Sequence, residues 1–161
     1  MEKAAAEPDF FVLQAGVKVR VDVSGLPDAD QRERIRAKLV EKLEAHNFKV
    51  AKQGAIDLVA TAVEKPKKRE VRYIHSGTYK VREFITTLRF VYQGQTAWQR
   101  STSNIQHMVM LKRDDNLAAY LKRNEKPSYF FLETVKLPKL LMKPTGQPGL
   151  GKSSITVAGV K

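Results

Sequence analysis

Cysteine is absent from this 161-residue chain, which excludes disulfides, thiolate metal sites and a cysteine nucleophile. Histidine is scarce, at three residues, and no H-x-H, H-E-x-x-H or calcium-loop spacing occurs, so neither a metal nor a cofactor site has a local signature. No run of about 18 apolar residues offers a membrane helix. The first nine residues, small and charged up to Pro8-Asp9, lack an apolar secretory segment and are expected to form a flexible tail. A soluble chain follows as the expectation, with its native compartment left open. Acidic residues are missing after Glu133, where Lys136, Lys139, Lys143, Lys152 and Lys161 follow.

That last absence shapes the charge. The net value is +12, yet residues 1–64 hold ten Lys/Arg against eleven Asp/Glu, and residues 65–161 hold nineteen against six. The whole excess sits in the later part. Such asymmetry suits a polyanionic partner, whether nucleic acid, anionic lipid or acidic protein, although lysine-rich edges and loops also serve plain solubility.

What is present describes a globular α+β chain. A hydrophobic content of 42% supports a proper core within one domain. Four valines alternate with charges from Val17 to Val23, the pattern of a half-buried strand. Ser24-Gly25-Leu26-Pro27 turns the chain, Asp30 and Glu33 suggest a capping box, and Ile35, Leu39, Val40 and Leu43 recur at helical spacing to His46. A second strand is expected over Ala55 to Val63 and strands almost throughout Glu70 to Ser103, with a hairpin turn at Gln93-Gly94. Asn116 or the preceding aspartates cap a short helix to about Asn124; Tyr129 to Leu137 and Ile155 to Val160 complete the expected strands. The fold class is α+β: an antiparallel or mixed sheet covered by one long amphipathic helix, opening β-α-β, with a second short helix and further strands. Residues 10–161 are expected to form a single domain, with 10–103 as its β-α-β-hairpin core and 104–161 as an extension.

Gly146 to Ser153 reads GQPGLGKS, a full match to the phosphate-binding pattern G-x-x-x-x-G-K-[ST]. A working loop needs a strand before it and a helix after it, so that backbone N–H groups and the helix dipole converge on phosphate. Here Pro138 and Pro144 bracket the upstream segment, and the downstream one alternates like a strand, so the match is taken as chance. His46 is expected at a helix end, His75 at a strand break and His107 in an apolar segment; none has an activating neighbour in sequence. Asp114-Asp115 is read as capping. No catalytic residues are assigned and the chain is expected not to be an enzyme.

The clearest binding signal is the basic interval Lys65, Lys67, Lys68, Arg69, Arg72, Lys80 and Arg82, with Tyr73 and Tyr79 among it. Lysines and arginines could neutralise phosphates while tyrosines stack on bases, although strand alternation must divide such a patch between two faces. A two-residue turn at Gln93-Gly94 would set Arg89 opposite Trp98; a different turn length would send Trp98 into the core.

The strand, the amphipathic helix, the strand near G-A-I-D-L-V-A-T-A and the hairpin closing on G-Q-T-A-W-Q-R-S resemble the β-α-β-β modules of bacterial outer-membrane-associated lipoproteins and secretion accessory proteins, over about residues 15–103. The later run K-P-S-Y-F-F-L-E-T-V-K-L-P-K resembles carboxy-terminal domains of large planctomycete-type bacterial proteins. The resemblance implies a non-catalytic protein-interaction or assembly part, the end module of a larger envelope-related protein. A basic polyanion- or nucleic-acid-binding domain is the alternative.

Overall fold

The computed structural model describes residues 11–73, 77–106, 109, 116–144, 155–156 and 159–160. Phe11–Leu13 (β1) comes first, and the valine alternation then becomes Lys18–Gly25 (β2). Val19, Val21 and Val23 are buried while Lys18 and Arg20 are exposed, as a period of two requires when one face meets a core.

Ala29–Ala45 (α1) follows, burying Ile35, Leu39 and Leu43 at every fourth position. Its N-cap is Asp28, not Asp30, and the expected capping box does not form. Asp28 makes no side-chain cap; its carboxylate accepts the Tyr129 hydroxyl. The C-terminal end is a Schellman motif. His46 is the C-cap, Asn47 takes the left-handed conformation at φ 61°, and Phe48 N–H donates to Leu43 O at 3.0 Å.

Lys49–Val50 (β3) and Ile56–Glu64 (β4) both run parallel to β2, on opposite sides of it. Their connection must therefore cross the start of β2. Gly54 makes the crossing possible, since a Cβ there would lie 2.6 Å from Lys18 O. Phe84–Tyr92 (β7) pairs antiparallel with β4, and Gln95–Ser103 (β8) with β7, which gives the mixed sheet order β3-β2-β4-β7-β8. Between β4 and β7 the hairpin continues as a separate arm, Arg69–Tyr73 (β5) against Gly77–Val81 (β6).

Leu117–Arg123 (α2) packs against β6, with the Asn116 carboxamide oxygen accepting from Ala118 N–H and Ala119 N–H. Tyr129–Thr134 (α3) is a correction, because a strand was expected over Tyr129 to Leu137. Its aromatic and β-branched composition favours a strand, but tertiary partners decide otherwise. Leu132 is buried in the main core, and Lys42 Nζ donates to Leu132 O at 3.3 Å and Val135 O at 2.7 Å, satisfying carbonyls at the helix end.

Cover for the sheet is thus shared. α1 packs on β2 and β3, α3 packs on β7 and against α1, and all contribute to one apolar cluster. The chain is α+β, with two helices doing what one was expected to do. Leu141–Met142 (β9) pairs with β1. The expected closing strand is instead two short ones, Ile155–Thr156 (β10) and Gly159–Val160 (β11), paired with each other.

Candidate interaction surfaces

The arm carries the seven cations expected to meet a polyanion, and the structure divides them. On its outer face Lys80 pairs with Glu70 at 3.3 Å. At its base Arg69 meets Glu83 at 3.0 Å, and Arg82 lies 3.8 Å from Glu64 and 4.0 Å from Glu125. Lys65, Lys67, Lys68 and Arg72 are exposed and form no ion pair among the described residues. The chain's own carboxylates offset three of the seven.

The tyrosines lie on the other side. Tyr73 and Tyr79 meet edge to face, with centroids 6.1 Å apart, in a second apolar cluster with Val71, Val81, Leu117 and Leu121. Tyr73 donates its hydroxyl to Gln106 O at 2.7 Å, and burial pushes its pKa up. A ring only 8% exposed offers no platform to a base. The space between arm and α2, lined by Tyr73, Asn104, Gln106 and Tyr120, is about 10 Å³, room for a single water.

Asn104 ties the arm to the sheet. Its amide nitrogen donates to Arg82 O at 3.1 Å and Asn124 O at 3.0 Å, while its oxygen accepts from Phe84 N–H at 2.8 Å. Lys65 N–H donates to Glu83 O, and Glu125 accepts from Arg82 N–H.

On the sheet face away from α1 and α3, Arg20 grips Asp57 through two hydrogen bonds of 2.8 and 2.7 Å, and Thr87 and Ser101 share one of 2.9 Å. Val59, Ile85 and Val91 are half-buried here and Val63 is 60% exposed. No described helix packs on this face. Arg89 belongs to it, but opposite Gln99, not Trp98. The two-residue turn is present, yet a bulge beyond it makes Val91 face Thr96 and Phe90 face Trp98, with Ala97 as the extra residue. Trp98 therefore turns toward Phe90, with ring centroids 5.7 Å apart, and packs on the core.

A groove of about 420 Å³ runs between α1 and the edge of β2, lined by Val21, Val23, Arg20, Arg32, Arg36 and Lys52 and joined by Asp22 and Glu33. The sequence reasoning missed it. Its only signal was the Lys52-Gln53-Gly54 break that cuts β3 to two residues. Ser24 donates to the Asp22 carboxylate from both its N–H and its hydroxyl, which lowers the Asp22 pKa below the usual range.

His46 caps α1 and stacks on Phe48 at 6.1 Å. His75, His107, Asp114, Asp115 and the GQPGLGKS loop lie outside the described residues. Among the described residues no group of three His, Asp or Glu is placed to hold a metal, and no helix is long and apolar enough to cross a membrane.

No family model matches the chain, and no curated protein does. Among solved structures, a minor lipoprotein from Acinetobacter baumannii is a weak neighbour: 11% identical, covering 72% of this chain and 83% of its own, with a TM-score of 0.31. A likeness of that size carries no inference about fold or function.

Proposed function

We propose that the chain is a non-enzymatic protein-interaction and assembly module, whose partner docks along the rim or the helix-free face of the five-stranded sheet. The observation that carries this reading is the sheet itself. It ends at β8 with nine residues whose outer edge pairs with no further strand among the described residues, beside a face bearing Val63, Ile85 and Val91. Such edges and apolar-polar faces are where strand addition and face packing take hold. The envelope setting rests on the resemblance of residues 15–103, and the role as end module of a larger protein on that of the later run K-P-S-Y-F-F-L-E-T-V-K-L-P-K.

A photo-crosslinking residue at Ser101, with Lys38 on the solvent side of α1 as control, tests the reading. The expected result is a defined protein adduct from Ser101 that persists at moderate salt and is absent from Lys38. Adducts only to nucleic acid, and only from a probe at Lys67, would overturn it.

The unpaired Lys65, Lys67, Lys68 and Arg72 favour the second reading, a polyanion binder. In that case oligonucleotide binding falls steeply with salt and is lost in a Lys67→Glu, Lys68→Glu variant.

A further inference from the structure

Building on the interaction reading above, we propose that the open edge of β2 takes an extended acidic segment of a partner protein, added as a strand in the groove beside α1. The backbone supplies the first argument. Val17 O accepts from Lys49 N–H at 2.9 Å and Val19 O from Ala51 N–H at 3.1 Å, so the odd-numbered residues of β2 direct their polar groups to the β3 side. After Ala51 the chain turns away to make its crossing at Gly54. Val21 N–H and O and Val23 N–H are left without a backbone partner among the described residues, whereas Val23 O accepts from Leu26 N–H. Both residues line the groove, where an added strand supplies both donors and acceptors.

Charge supplies the second. A strand here sends alternate side chains toward α1 and toward the helix-free face. On the α1 side wait Arg32 and Arg36, one turn apart. Arg32 is held by its Nε bond to Leu26 O at 2.6 Å, and Arg36 is exposed with no ion pair among the described residues. Lys52 stands exposed at the lining, while Arg20 is already engaged by Asp57. Of the two lining carboxylates Asp22 shares the helix-free face with Arg20, on which it acts, which leaves Glu33 as the one on α1 beside Arg32 and Arg36. Acidic residues at alternate positions, facing α1, complete this arrangement.

The same chemistry argues against two other choices. A nucleic-acid backbone brings acceptors to phosphate-binding cations but has no donor for Val21 O at strand spacing. The β8 strand carries a single cation, Arg100, and so offers an acidic segment far less charge to meet.

The test uses the full chain, isotope-labelled, titrated with an acetylated peptide of three Glu-Val repeats. Val21 and Val23 amides are expected to shift most and to gain exchange protection. Arg36→Glu should weaken binding by about tenfold and favour the matching Lys-Val peptide, a charge swap that misfolding could not produce. Shifts confined to residues 65–82, or equal Val21 shifts with a single-stranded oligonucleotide, would overturn the proposal. So would peptide binding that appears only after deletion of residues 1–10, since the chain's own Glu2, Glu7 and Asp9 would then be the occupant. Silent β2 amides together with a protein adduct at Ser101 would sink this inference alone, and silence in both would sink the interaction reading with it.

Discussion

The five-stranded sheet and the β5–β6 arm each bury one face of paired strands under helices, but with unequal means. Among the described residues the sheet's cluster holds seventeen buried residues, drawn from β1, β2, α1, β4, β7, α3 and the segments between them. The arm's holds five, from two strands and α2. A cluster that small supplies little apolar stabilisation, so the arm is held at its base by directed polar contacts, above all those of Asn104. The sheet's stability is spread over many contacts, whereas the arm's is concentrated in a few. Local opening should therefore begin at the arm.

Phe90→Ala gives the largest effect expected. Phe90 is fully buried against Trp98, and its truncation should cost about 3–5 kcal/mol, seen as an earlier urea midpoint for the whole chain. Both regions should lose exchange protection together, because the arm's own small cluster does not sustain it apart from the sheet. Asn104→Ala should cost about 1–3 kcal/mol, by orphaning part-buried backbone groups. Here amide exchange should rise over residues 69–81 and stay unchanged in β2 and β4. Equal loosening of β4 would show that the two regions do not differ in the way described.

How much of this was legible depended on whether the cause was local. The valine alternation of β2, the helical stripe Ile35-Leu39-Leu43 and the Gln93-Gly94 turn are local patterns, and each forms where the residues indicate. The failures are tertiary. Nothing in Tyr129 to Leu137 reveals that Lys42, far off in sequence, caps a helix there. One extra residue at Ala97 reverses the neighbours of Arg89 and Trp98 without changing the turn. For the arm, alternation correctly warned that the basic interval would be split, but not that Glu64, Glu83 and Glu125 would meet its cations. The groove was invisible because it depends on β3 stopping early, a consequence of the crossing at Gly54.

Two tyrosines sharpen the comparison through pH. Burial raises the pKa of Tyr73 in the arm, and burial together with the Asp28 carboxylate raises that of Tyr129, between α3 and the start of α1, still further. Above the ordinary tyrosine value of about 10 the unfolded chain loses these protons first, so it binds fewer than the folded one and stability falls as pH rises. The stabilisation is complete below that value and is lost on the way to the folded pKa. Tyr129→Phe should remove most of the alkaline sensitivity of global unfolding. Tyr73→Phe should cost about 1 kcal/mol at neutral pH through its bond to Gln106 O and remove a smaller, arm-confined part. If Tyr73→Phe flattened the global profile more than Tyr129→Phe, the arm would be the more strongly coupled region.

The smallest effect belongs to the arm's outer face. Glu70 and Lys80 sit directly across from each other, with side chains 63% and 71% exposed, so solvent screens their attraction. A double-mutant cycle with Glu70→Ala and Lys80→Ala should return a coupling within about 0.5 kcal/mol, shrinking further as salt is added. This weak pair lies out on β5 and β6, whereas the Asn104 contacts hold the arm's base at Arg82, Phe84 and Asn124, which makes it the control for them: both are polar, but the Asn104 contacts are directed at backbone and two of the three are part-buried. A Glu70–Lys80 coupling as large as the Asn104 effect would mean that surface charge holds the arm in place, and that salt alone could release it.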